Sequence, residues 1–99
     1  MTNERFDQIL QEEILHCLDV LNGKATEYAA DSDRLHNFQV AAALTGETWE
    51  QALAGMMKKH TVSIYDMCYS GRNYPLELWR EKITDHINYL LLLWAMRND

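Results

Sequence analysis

Apolar residues recur every three or four positions along nearly the whole chain, the spacing of one face of an α-helix. From about Glu4 to Asn22, Phe6, Leu10, Ile14, Cys17, Leu18 and Leu21 follow this period, with Glu4 and Asp7 at the end where a helix dipole favours acids. Asn22-Gly23 reads as a stop signal, and Lys24 to Ala30 either extends this helix or connects it to the next. Asp31-Ser32-Asp33 offers an N-cap for a short helix that ends near Leu44 and is closed by Thr45-Gly46. That helix carries apolar residues on two sides, Leu35, Phe38 and Ala42 against Val40 and Leu44, which predicts a position between other helices. Thr48-Trp49-Glu50-Gln51 has the pattern of a capping box, and the third helix runs from it to about Tyr69, with Trp49, Leu53, Met56, Met57, Ile64 and Met67 as its stripe. After the loop Ser70-Gly71-Arg72-Asn73-Tyr74, Pro75 fits the first turn of a final helix reaching about Arg97. Leu76, Trp79, Ile83, Ile87, Leu90, Leu91 and Trp94 form its stripe, and beyond Ile87 it is apolar almost all round, as a central helix is.

The expected fold is therefore all-α: a single-domain bundle of four helices, three long and one short, spanning residues 1–99. Helices one, three and four are expected to supply most of the core. The apolar stripes are wider than one small bundle can cover, which predicts a homodimer buried through Trp79, Leu90, Leu91 or Trp94.

Composition narrows the function classes. The chain carries a net charge of −6 with no Lys/Arg cluster, which argues against nucleic acid, whose affinity comes largely from phosphate neutralisation. The longest apolar run, Ile87 to Met96, is broken by Asn88 and falls short of the roughly 20 residues a bilayer requires, so no membrane association is expected. Cys17 and Cys68 form no CxxC pair and fall on apolar stripes, as reduced core thiols of a cytoplasmic protein do. The polar, acidic N-terminus shows no signal peptide.

The densest chemistry lies in Glu81-Lys82-Ile83-Thr84-Asp85-His86-Ile87-Asn88-Tyr89. On a helix, Glu81, Asp85 and Asn88 fall within about 60° of one another, bracketed by Leu78 and Leu92. Two carboxylates one turn apart with a carboxamide are hard oxygen donors suited to Mg²⁺ or Mn²⁺ holding a polyphosphate. The same residues also make an ordinary solvated stripe with Arg80 and Lys82 nearby. Glu13 projects among Phe6, Ile9, Cys17 and Val20; it is either a carboxylate at the rim of the core or a ligand aimed into a pocket. His60, central in the third helix's stripe, is either a satisfied core histidine or a polar group facing the same cavity as Glu81 and Asp85. Lys59, Ser63 and Asp66 line one flank of that helix. No P-loop, GxGxxG, nucleophile elbow or zinc spacing is present.

The run Lys24-x3-Tyr28, Asn37-Phe38, Lys58-Lys59-His60 and Glu81-x3-Asp85-x2-Asn88-Tyr89 resembles small phage-type proteins related to the all-α NTP pyrophosphohydrolases, the MazG-like group, and to helical domains associated with nucleotide modification. The resemblance spans roughly Lys24 to Leu93 and is most specific in its last motif. It implies an all-helical, often dimeric fold that binds Mg²⁺ through acids on facing helices. Under it Glu81 and Asp85 become metal ligands, Lys59 a phosphate contact, and Asn88 with Tyr89 the lining of the base or ribose side. The group's first helix usually presents two acids three residues apart and its later helix another such pair; here Glu12 and Glu13 are adjacent and the later spacing is four. Two functions are thus expected. One is Mg-dependent cleavage of a nucleoside triphosphate between its α and β phosphates, with Glu13, Glu81 and Asp85 holding metal and Lys59, His60, Asn88 and Tyr89 at the substrate. The other is a non-catalytic acidic phage protein that sequesters a nucleotide or inhibits a host protein.

Overall fold

The computed structural model describes residues 1–28 and 33–99, with side chains placed for residues 1–23 and 33–99. Four helices follow in order: α1 (Asn3–Tyr28), α2 (His36–Thr45), α3 (Trp49–Tyr69) and α4 (Leu76–Asn98), and no strand occurs among the described residues. The all-α bundle expected from the apolar period is the fold observed.

Local chemistry sets most helix ends. α2 stops at Gly46, whose φ of 70° is the left-handed conformation that costs glycine nothing; its N–H donates to the Ala42 carbonyl. α3 opens on the expected capping box: the Gln51 N–H donates to the Thr48 hydroxyl at 3.1 Å, and the Thr48 N–H donates to Gln51 Oε1 at 2.9 Å. α4 follows directly on Pro75, whose carbonyl accepts from the N–H groups of Leu78 and Trp79. Ahead of α2, Asp33 Oδ1 accepts the Leu35 N–H and Oδ2 the Gln39 amide, both at 2.9 Å. Asp31 and Ser32, the other members of the anticipated cap, lie outside the described residues, as do the side chains of Lys24 and Tyr28.

Three expectations need correction or completion. First, Asn22-Gly23 does not stop α1, which continues to Tyr28, so that of the two alternatives beyond it the extension of helix one is the one found. Gly46 and Gly71 take positive φ and Gly23 does not, and a helical glycine costs only about 0.5–1 kcal/mol against alanine, too little to end a long helix. Second, helices one, three and four carry most of the buried apolar residues described (Cys17, Ala52, Leu53, Met67 and Met96), but the central cluster also draws on the start of α2. It gathers Leu35 and Phe38 at and inside the start of α2, Leu53 of α3 and Met96 of α4, with Met56, Tyr89, Leu92 and Leu93 packed against them. Third, α2 is not sandwiched: it packs on α3 with Phe38 and Ala42 inward and leaves Val40 and Leu44 exposed.

α4 is central, with α3 on one side and α1 on the other. Among the described residues α1 packs on no other helix; the Arg34 guanidinium, which donates to the Leu21 carbonyl at 3.2 Å, ties it to the start of α2. The layout is correspondingly open. The radius of gyration is 15.5 Å, where a compact domain of this length has about 13 Å.

Candidate functional site

Where α1 meets α4, a polar seam replaces apolar packing. The Glu13 carboxylate of α1 accepts from Arg80 Nε at 3.1 Å, from the Thr84 hydroxyl and, within its own helix, from Cys17 Sγ at 3.5 Å. One turn on, Asn88 Nδ2 donates to the Cys17 carbonyl at 3.0 Å. Thr84 and Asn88 are buried, and Asn88 Oδ1 has no hydrogen-bond partner among the described residues. Burial pushes the Glu13 carboxyl up, but the hydrogen bonds from Thr84, Arg80 and Cys17 and the charge of Arg80 outweigh it and hold its pKa below the ordinary 4.5. Burial, reinforced by the hydrogen bond and charge of Glu13, pushes the Cys17 thiol above its ordinary value. Cys17 is therefore a protonated, enclosed thiol, whereas Cys68 is exposed. Titration with a thiol-reactive disulfide reagent is expected to modify Cys68 rapidly and Cys17 only after denaturant is added.

The seam also fixes direction. Glu13 meets Thr84, and Cys17, one turn later, meets Asn88, one turn later, so α1 and α4 run side by side in the same sense. With about 100° per residue, the residues flanking the seam then separate onto two opposite edges of the helix pair. One edge is a cleft of about 450 Å³ lined by His16 and Val20 of α1 and by Glu77, Arg80, Glu81, Thr84 and Asp85 of α4. The other edge is apolar, formed by Leu10, Ile14 and Leu18 with Ile83, Leu90 and Trp94, all exposed.

The anticipated site residues divide accordingly. Glu81 and Asp85 share the cleft wall. His60 and Tyr89 meet on the α3 side of α4, ring centroids 5.1 Å apart, and His60 Nδ1 stands 3.9 Å from Asp85 Oδ2. Asn88 does not join the acids: it points to α1, and its amide is used by Cys17. Lys59 is exposed on α3 and does not line the cleft. Glu13 is the rim carboxylate of the two alternatives, engaged by Arg80, Thr84 and Cys17 rather than presented to an ion. Among the described residues no group of three or more His, Cys, Asp or Glu could hold a metal ion. A Mg²⁺ shared by Glu13, Glu81 and Asp85 within one chain is therefore not a fit to these positions. Sequence reasoning passed over Arg80 and Thr84 as the partners of Glu13; the signal available was Thr84, one turn before Asn88 and on its side of the helix.

Compared with known proteins, the chain matches no family model, no curated protein and no solved structure.

Proposed function

We propose that the chain is a non-catalytic acidic binding protein, working as a homodimer, whose α1–α4 cleft takes a basic surface of another protein, as an inhibitor of a host protein would. The supporting observation is the charge of the cleft. Glu77, Glu81 and Asp85 line it, and the guanidinium among its lining residues, Arg80, already faces Glu13. A polyphosphate entering unaccompanied meets three carboxylates, whereas a lysine or arginine side chain meets complementary charge. Glu13, expected as a metal ligand beside Glu81 and Asp85, is engaged instead by Arg80, Thr84 and Cys17.

Glu81 and Asp85, one turn apart on one cleft wall, favour a second reading, the Mg-dependent nucleoside triphosphate pyrophosphohydrolase. Two assays separate them: pyrophosphate release across a nucleoside triphosphate panel with Mg²⁺ or Mn²⁺, and calorimetry with the same nucleotides and with an Arg/Lys-rich peptide. The expected result is no pyrophosphate release and peptide binding that weakens about tenfold in Glu81→Gln/Asp85→Asn and in raised salt. Metal-dependent release by the wild type that Asp85→Asn abolishes would establish the hydrolase. Tight nucleotide binding without turnover would replace the protein partner with a sequestered nucleotide.

A further inference from the structure

We infer that the apolar edge of the α1–α4 pair is where a second copy of this chain docks, and that the resulting dimer is obligate, its interface formed as part of folding. This deepens the homodimer proposed above by naming its face and its strength. The surface area argues for both. Folded monomers of 11.6 kDa expose about 5,800 Å², whereas this chain exposes 7574 Å². The excess, roughly 1,700 Å² per chain, is about twice what a partner contributes to a standard interface and falls in the range of obligate ones.

Part of the excess is apolar surface gathered in one place. Leu10, Ile14, Leu18, Ile83, Leu90 and Trp94 are 38–70% exposed and lie on one edge, while α1 is covered by α4 alone among the described helices. A two-fold pairing of two such edges completes a four-helix arrangement of α1, α4 and their copies, which is what a long amphipathic helix with a single neighbour lacks. Charge fits the same pairing. α1 and α4 run in the same sense, so a two-fold axis across the middle of α4 sets the dipoles of the two copies antiparallel. Trp79, anticipated as an interface residue, packs edge-on against Tyr74, ring centroids 6.0 Å apart. The cleft opens on the opposite edge, so each copy keeps its own cleft, and neither supplies acids to the other.

Sedimentation equilibrium tests the inference on the full chain, with helicity followed by circular dichroism. Wild type is expected at twice the chain mass throughout the micromolar range, with a midpoint of thermal unfolding that rises with protein concentration. Trp94→Arg is the main variant, because Trp94 is 70% exposed in the single chain and an isolated monomer loses nothing by its replacement. It is expected to raise the dissociation constant about a hundredfold, with helicity lost as the dimer comes apart on dilution; Ile14→Glu should do the same. Val62→Glu/Tyr69→Glu, on the exposed side of α3, is expected to stay dimeric. A wild type that is monomeric at high micromolar concentration overturns both the dimer and its face. A dimer lost on changing α3 but unmoved by Trp94→Arg and Ile14→Glu overturns the face alone. A dimer whose unfolding is independent of concentration overturns its obligate character. None of these outcomes bears on the cleft, which the peptide and pyrophosphate assays address separately.

Discussion

Leu53→Ala is expected to lower the unfolding free energy by about 3–5 kcal/mol, seen as a shift of the urea midpoint with little change in slope. Leu53 is fully buried, at 0% exposure, and packs in the cluster where Leu35, Phe38 and Met96 meet. Truncation removes the transfer free energy of the lost carbons and leaves a cavity that three different elements cannot easily close. The loss is large because this cluster is small. A chain of this length has about 5–15 kcal/mol of stability in all, so the variant stands close to unfolded at 37 °C. Retention of more than about 4 kcal/mol of unfolding free energy with a wild-type midpoint would show that the α2–α3–α4 cluster is not the centre of the fold.

The second large effect is an asymmetry at the α1–α4 seam. Arg80→Met leaves the Glu13 carboxylate partly buried without its cation and is expected to cost about 1.5–3 kcal/mol. Combining it with Glu13→Leu should recover most of that loss, because the pair is then replaced by apolar atoms and Thr84 can bond a carbonyl within its own helix. A double variant as unstable as Arg80→Met would show that the carboxylate itself, not its unpaired state, was needed.

The same seam sets an acid limit. The folded pKa of Glu13 lies below its ordinary 4.5. A depressed carboxyl pKa contributes stability that is present above 4.5 and is lost as the pH falls through the folded value. Wild type should therefore lose more stability between pH 5 and pH 3 than Glu13→Leu/Arg80→Met does, when urea midpoints are compared across about those values.

Much of the fold was legible because its ends are written in local chemistry. The Thr48–Gln51 capping box, Gly46 and Pro75 act within a few residues of themselves, and α2, α3 and α4 begin or end where these residues stand. Gly23 misled because a glycine stops a helix only when the chain beyond it turns away, which tertiary context decides. The acidic stripe was half legible. Periodicity placed Glu81 and Asp85 on one wall correctly, since they lie on one helix. It grouped Asn88 with them because 60° of arc cannot distinguish the cleft from the seam beside it. The rim position of Glu13 was legible, but its partners Arg80 and Thr84 were not assigned, for they arrive from a helix 67 and 71 residues away.

That separation has a kinetic consequence. α2 and α3, and then α3 and α4, are joined by short connections and each pair packs together, whereas α1 reaches α4 only by closing a loop of 71 residues. Loop closure of that span is costly before any contact repays it, so α1 settles last and is the first element to open in the native ensemble. Its backbone amides should accordingly trade protons for deuterons sooner than those of α3.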